Sequence, residues 1–310
     1  MISLRYHVIS IGAVFLALAL GVLLGSTTLS DSLLSGITNQ KAQLAEQVAD
    51  LQARTNAQNG RLSAADQFAT GIGPLAVRNL LTGRTVMVIS TSDASKSTEQ
   101  ALATLLTAAG AQVTGQIQLT SAFSDPNKAD QLRDLVTQMI PAGAQLPVAS
   151  DPGTLAGGLF GDLLLLNKTN KPQATPDERS AALAGLASAG FIKVPASTTP
   201  AQLAVVLTGG QQPDNAGDRA AMLARFATQL QRTGVGAVLA GADGSATGSG
   251  PIGVARADTA DSSVSTVDNV DTAAGRITTV LALQEQLNGK SGSYGTAGNA
   301  QSPLPQPASS

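Results

Sequence analysis

Side chains that commonly perform catalysis or bind metals are scarce in this chain of 310 residues. It contains no cysteine, and its one histidine, His7, lies beside an apolar segment. These counts exclude disulfides, thiolate metal sites, thiol nucleophiles and any histidine-based triad in the body of the protein. The internal methionines, Met87, Met139 and Met222, fall within apolar strand or helix patterns that predict core packing. We predict that the protein is not an enzyme.

Three loops rich in serine, aspartate and glycine are the candidates for a binding cleft. Each follows a predicted strand, and ligands bind parallel sheets at the carboxyl ends of the strands. The candidate cleft residues are Ser92, Asp93, Gly209, Gly210, Asp243 and Gly244. The third loop, 240–250, could cradle an anion with its N–H groups, but a strand predicted over 251–257 favours a flexible loop instead.

Four aspartates recur near the end of the chain, at positions 258, 261, 268 and 271. Carboxylates at such spacings could hold calcium. The spacing of an EF-hand is missing, so we favour a solvated loop with helix-capping aspartates.

The charge balance argues against a nucleic-acid partner. Nineteen basic and 21 acidic residues give a net charge of −2, and the chain has six Phe, two Tyr and no Trp. Neither a basic surface nor aromatic stacking platforms are available in the amounts that DNA or RNA binding uses. We predict no nucleic-acid partner.

Strand and helix patterns alternate in the body of the chain. Apolar runs such as "TVMVIS" at 85–90 and "AVVL" at 204–207 are typical of buried strands, and they are separated by amphipathic stretches of helical length. This alternation predicts an α/β fold: a three-layer domain over 73–288 with a mainly parallel sheet. The polar, glycine-rich segment 289–310 is predicted to be a disordered tail.

The segment 1–29 predicts one transmembrane helix. No charge lies between Val8 and Gly25, and a helix of that length spans about 27 Å, close to the ~30 Å hydrocarbon core. Arg5 places the N-terminus in the cytoplasm and the bulk of the chain in the periplasm. We therefore predict a single-pass anchor in the cytoplasmic membrane; a cleaved signal peptide is the alternative.

A stripe of small residues runs along this helix at every fourth position, at Ala13, Ala17, Gly21 and Gly25. Such a stripe lets two membrane helices approach closely. The other interpretation is that alanine and glycine are simply frequent in this segment.

The segment 30–72 carries a heptad pattern that predicts a helical coiled-coil stalk. The apolar seam consists of Leu34, Ile37, Leu44, Val48, Leu51 and Leu62. Val at the a position with Leu at d favours a parallel homodimer, and the stalk could also bind a partner protein. A single amphipathic helix folded back onto the body is the alternative.

Several blocks of the sequence resemble one actinobacterial family. "MISLRYHVIS", "AVFLALALGVLLGS", "LSAADQF", "LAGADGSA", "STVDNVDTAAGRITTVLAL" and "YGT" are similar to the mycobacterial copper transport family MctB, nearly from end to end. The resemblance implies an envelope protein of copper efflux, with copper as the transported ion and with an outer-membrane location. It also implies an association with an envelope factor and with daughter-cell separation.

Two hypotheses follow from the residues and the resemblance together. In the first, oligomers of the chain export copper. In the second, the chain is a non-catalytic periplasmic scaffold whose stalk recruits or regulates a cell-wall hydrolase. No motif supplies copper ligands, so no bound cofactor and no metal-binding residue are predicted.

Overall fold

One long helix, α1, forms the N-terminal part of the protein and runs from Leu4 to Ala76. The computed structural model describes residues 4–195, 198–213, 218–258 and 263–306, with side chains described outside residues 4 and 26–37. The first proline of the chain, Pro74, lies in the last turn of α1, and the helix ends two residues later.

The chain divides into two compact units, 1–65 and 66–310. The second unit therefore includes the last turns of α1. There the Asp66 carboxylate accepts a hydrogen bond of 2.6 Å from the N–H of Ala273.

Among the described residues, seven strands form one sheet in the order β3-β2-β1-β4-β5-β6-β7. β3 is antiparallel to β2, and the other neighbours are parallel. The strands are β1 Thr85–Ser90, β2 Gln112–Leu119, β3 Ile192–Lys193, β4 Leu203–Thr208, β5 Gly236–Gly241, β6 Ser265–Val267 and β7 Ser293–Tyr294. The predicted α/β fold with a mainly parallel sheet is confirmed.

Helices cover both faces of this sheet. They are α2 Lys96–Ala108, α3 Ala129–Gln138, α4 Pro152–Leu164, α5 Pro176–Ser188, α6 Arg219–Thr233, α7 Pro251–Ala257 and α8 Ala273–Leu287. On one face, α2 and α8 pack over Val86, Val88 and Val205. On the other face, α3 to α7 pack over Met87, Ile89 and Val206. Alternate residues of each strand thus enter different apolar cores, which gives the predicted three layers.

The closest helix packing joins α4 to α6 through glycines. Gly153, Gly157 and Gly161 recur every fourth residue on α4, and a Cβ at Gly157 would lie 2.6 Å from the carbonyl oxygen of Phe226. Any side chain on this stripe would push the two helices apart. The phenyl rings of Phe123, Phe160 and Phe226 then meet edge to face, with centroids 5.3–5.9 Å apart.

Two predictions about the C-terminal region are wrong. Residues 251–257, predicted as a strand, form helix α7, which starts with Pro251 at its first turn. Within the predicted disordered tail 289–310, the described residues 289–306 include β7, and the Tyr294 side chain is buried in a core. Backbone pairing with β6 and burial of the Tyr294 ring keep this segment ordered, although its composition alone indicates disorder.

Candidate functional site

The order of the sheet reverses direction between β1 and β4, which are neighbours although two strands lie between them in sequence. Ligands in doubly wound folds bind in the crevice at the carboxyl ends of such strands. The candidate loops 91–93 and 209–212 follow β1 and β4 at this point. The N–H of Thr91 donates 2.9 Å to the carbonyl of Leu207, which ties the two strand ends together.

The loops that were predicted to form a cleft pack against one another. Gln212 donates from Nε2 to Oδ2 of Asp93 over 2.8 Å, and a Cβ at Gly209 would lie 2.5 Å from that same oxygen. A Cβ at Gly210 would lie 2.4 Å from the carbonyl oxygen of Asp243, and Gly244, the residue after Asp243, has a φ of +84°. Close approach therefore requires glycine at 209 and 210. Ser92 is exposed beside Asp93, and the use of this crevice as a binding site stays a prediction.

Two of the aspartates near the C-terminus accept hydrogen bonds within the domain, whereas the sequence favoured a solvated loop with helix-capping aspartates. Asp268 is buried and accepts a 2.8 Å hydrogen bond from Nη1 of Arg256. Asp271 accepts from the N–H of Asp243 over 3.1 Å. The N-cap of α8 is Thr272, and Asp261 lies outside the described residues. In the described ranges no group of three or more His, Cys, Asp or Glu side chains could hold a metal ion.

Arg256 on α7 holds the last part of the chain in place. Its Nη2 donates 2.7 Å to the carbonyl of Tyr294, and its Nη1 also donates 2.8 Å to Asn299. Asp268 in turn accepts 2.8 Å from the N–H of Thr296. Removing one partner of a buried arginine–carboxylate pair is costly, because the other is left as an uncompensated buried charge. Burial, together with the hydrogen bond that Tyr294 donates to Glu285, raises the pKa of the Tyr294 phenol.

The structure also contains a polar cleft that no sequence pattern predicted. The cleft has a volume of about 690 Å³ and lies between the loop after α3, the ends of α4 and α6, and the turn after α4. The loop is fixed because Glu178, in the capping box of α5, accepts 2.8 Å from the N–H of Ala142. These hydrogen bonds, the one from Ala142 foremost, lower the pKa of Glu178.

Asp162 on α4 is one of the residues that line this cleft. Its side chain is 8% exposed, and its Oδ2 is enclosed without a hydrogen-bond partner. Burial raises the pKa of Asp162 to about 6. One signal in the sequence could have revealed it: Asp162 is the only charged residue in the apolar run "GTLAGGLFGDLLLL".

Donors for a soft metal remain scarce in three dimensions. Met87 and Met222 are buried in an apolar core, and Met139 packs against it. Cu(I) prefers thiolate or thioether ligands and Cu(II) prefers imidazoles. The donor set in the described part of the domain does not fit a resident copper centre.

The helix that was predicted to span a membrane has the required length and composition. Residues Arg5–Gly25 have a mean hydropathy of 2.6 and none of the window is buried within the protein. The small-residue stripe, Ala13, Ala17, Gly21 and Gly25, lies on this helix. Nothing is within 4 Å of a Cβ built on Gly21 or Gly25.

The predicted coiled-coil seam lies on α1. Leu44, Leu51 and Leu62 are 61–68% exposed and Val48 is 45% exposed. Leu34 and Ile37 are on the helix, but their side chains lie outside the described residues. The coiled coil stays a prediction.

Fold and site together define a class of protein: a doubly wound α/β domain that follows a long N-terminal helix with a segment of membrane-spanning length. The family model for the copper transport outer membrane protein MctB matches residues 1–305. The copper transporters MctB of Mycobacterium bovis and Mycobacterium tuberculosis are each 41% identical over 310 residues, covering 97% of this chain and 98% of the relative. That of Mycobacterium leprae is 41% identical over 312 residues, with the same coverage. The chain belongs to the MctB family.

Proposed function

We propose that this protein is a non-enzymatic cell-envelope component of copper efflux, with copper ions as its cargo. The observation that carries this proposal is the family match over residues 1–305, which includes the apolar helix and the α/β domain together. The sheet is open, with β3 and β7 at its edges and helices on both faces. The route of the ion therefore lies outside the core of this domain.

Complementation tests the proposal directly. Cells that lack their own family member should regain copper tolerance and lose cell-associated copper when they express the full chain, with zinc tolerance unchanged as the control. Unchanged copper sensitivity and copper content at normal expression would overturn the proposal. Cell-associated copper is measured by mass spectrometry.

The methionines provide a sharper version of this test. We expect that the triple change Met87→Leu, Met139→Leu and Met222→Leu leaves copper tolerance unchanged, because these side chains fill the core and leucine conserves most of their volume. Loss of tolerance with an unchanged melting temperature would show instead that the thioethers carry copper.

We also propose that Arg5–Gly25 is a retained anchor in the cytoplasmic membrane, with the domain in the periplasm. Its hydropathy of 2.6 and the position of Arg5 support this orientation; the outer membrane named in the family description is the alternative location. The chain has no native cysteine, so single cysteines are clean probes. Gln58→Cys should react with an impermeant maleimide in intact spheroplasts and Ser3→Cys only after permeabilisation; the reverse pattern would overturn the orientation.

We further propose that two copies pair in parallel through α1. The exposed leucines of the seam support this, because apolar side chains at a and d positions gain free energy when a second helix covers them. Leu44→Asp with Leu51→Asp should convert the full chain in detergent to monomers in analytical ultracentrifugation. Ala42→Asp with Ala49→Asp adds the same charge outside the seam and should leave the dimer intact. Equal behaviour of the two variants would overturn the pairing.

A further inference from the structure

Segments at the two ends of the sheet carry opposite charges. The loops that follow β1, β2, β4, β5 and β6, at the carboxyl ends of these strands, contain seven aspartates and no lysine or arginine. These loops are 91–95, 120–125, 209–218, 242–250 and 268–272.

The opposite holds for segments at the amino ends of the strands. The segments before β1, β2, β4, β5 and β7, with the turn between α4 and α5, contain five lysines or arginines and no aspartate or glutamate. These segments are 77–84, 109–111, 165–173, 198–202, 234–235 and 288–292. The segment before β6 is the exception, because it contains Asp258.

Hydrogen bonds fix the turn between α4 and α5 at this end of the sheet. Gln202, which precedes β4, donates 2.9 Å from its Nε2 to Oδ1 of Asn170 in the turn. The N–H of Gln202 donates 2.9 Å to Oγ1 of Thr85, the first residue of β1. Lys168 and Lys171 in the turn are therefore held near the start of β1, which Arg84 directly precedes.

Five cationic side chains thus belong to one end of the domain. We call them the amino-end cluster, and they are Arg78, Arg84, Lys168, Lys171 and Lys290. Lys168 and Lys290 line the same hollow of about 390 Å³ although they lie far apart in sequence. All five are exposed, and none forms an ion pair with another described residue.

Few carboxylates oppose this cluster. Of the acidic residues in adjoining segments, Asp162 is enclosed and Glu178 accepts the hydrogen bonds of a helix cap. Within the described ranges Asp177 and Asp258 are the exposed carboxylates of these segments. Five exposed cations against two carboxylates give this end a positive potential, which attracts anions.

Other groups on these segments indicate which kind of anion fits. The segments contain no aromatic residue and no exposed large apolar side chain, whereas bases stack on aromatic rings and bilayers accept apolar side chains. Their exposed residues include Asn79, Thr169 and Asn288, whose amide and hydroxyl groups can form hydrogen bonds with sugar hydroxyls.

We propose that the amino-end cluster binds an anionic polysaccharide, a chain of sugars that carry carboxylate or phosphate groups. The lysines and arginines pair with the anionic groups, and the amides and hydroxyls between them bind the sugars. This role is separate from copper efflux, and it attaches the domain to a polymer.

The full chain in nanodiscs of neutral phosphatidylcholine tests the proposal by biolayer interferometry. The probes are polygalacturonate, whose sugars carry carboxylates, and phosphomannan, whose sugars carry phosphates; uncharged dextran is the control. We expect at least one of the two anionic polymers to bind with an apparent Kd below about 1 mM at about 50 mM salt. Its affinity should fall at least about tenfold at about 200 mM salt, because each contact releases counterions.

A triple variant assigns the binding to this end of the domain. Lys168→Gln, Lys171→Gln and Lys290→Gln together should weaken binding of the same polymer at least about tenfold, since three of the five cations are lost. All three side chains are exposed, so the fold should not change, and circular dichroism checks this.

The matched control removes the same charge elsewhere. Lys96→Gln, Lys128→Gln and Arg225→Gln change three exposed cations outside the cluster and should leave the affinity within about twofold of the wild type. Equal loss in the two triple variants would show that net charge alone, and no defined face, governs binding, and would overturn the proposal.

Three further outcomes would also overturn it: neither anionic polymer binds below about 1 mM, dextran binds as tightly as the anionic polymers, or the cluster variant binds like the wild type. Vesicles of phosphatidylglycerol are titrated in parallel. Vesicle binding that depends on the three lysines, without binding of either polysaccharide, would replace the polymer by an anionic lipid surface.

Discussion

Replacement of Asp162 by asparagine should stabilise the domain at neutral pH. The carboxyl group has an ordinary pKa of 3.8 and a pKa of about 6 in the folded protein, because burial disfavours its charged form. The unfolded chain therefore ionises first as the pH rises. Stability is lost between about pH 4 and pH 6, and an uncharged amide at this position does not share that loss.

The magnitude follows from the two pKa values. A difference of one pKa unit corresponds to about 1.4 kcal/mol, so the full effect of this shift is about 3 kcal/mol above pH 6. At pH 4.5 the unfolded chain has already ionised most of this group, and about 1 kcal/mol of the effect is present. The free energy of unfolding of Asp162→Asn relative to the wild type should thus rise by about 2 kcal/mol between pH 4.5 and pH 7.5.

Urea unfolding of the full chain in a mild detergent measures this difference. Tyrosine fluorescence reports on the domain, because Tyr294 is buried in its core and Tyr6 lies in the apolar helix. Asp134→Asn, which removes an exposed carboxylate from α3, is the matched control. A difference between wild type and Asp162→Asn that stays constant from pH 4.5 to pH 7.5, or an Asn variant less stable at pH 7.5, would refute the reasoning.

Two further changes test the packing of the domain. Arg256→Met should cost about 3–5 kcal/mol in thermal or urea unfolding, because it leaves Asp268 charged and buried; adding Asp268→Asn should recover part of the loss, and no recovery would contradict the charge argument. Gly157→Ala should cost about 1–3 kcal/mol, because its Cβ would lie 2.6 Å from the carbonyl oxygen of Phe226. Gly60→Ala, on an exposed helix with nothing within 4 Å, should instead stabilise by about 0.5–1 kcal/mol, and equal effects of the two alanines would argue against close packing on α4.

The central strands of the sheet were predictable because burial on both faces leaves a continuous apolar run. β1, β4 and β5 each have this character, and nearly every residue in them is buried. The segment "PIGVARA" was misassigned because alternating apolar residues in seven positions fit a strand and a two-turn helix equally well. The proline at its first position was the stronger signal, since proline is favoured at the start of a helix.

The candidate site was less predictable than the fold. Asp93 and Asp243 follow strand ends, so their place near the reversal of the sheet could be inferred from alternation alone. The cleft at Asp162 could not, because its lining comes from segments far apart in sequence, such as 142–145 and 229–233. Residues 293–302 are likewise held in an ordered structure by pairing with β6 and by hydrogen bonding to Arg256. Composition alone does not predict these contacts.

The hydrogen bonds from Arg256 to the C-terminal segment have a consequence for the folding of the newly made chain. Tyr294 is buried beside strands that are made much earlier in synthesis, and the N–H of Gln301 donates 2.7 Å to the carbonyl of Ser293. A chain that leaves the ribosome or an export channel N-terminus first therefore lacks an edge strand, and Arg256 lacks its C-terminal acceptors, until almost the whole sequence has emerged. The α/β domain can therefore complete its sheet and its buried Arg256–Asp268 cluster only after residues 293–302 have been made.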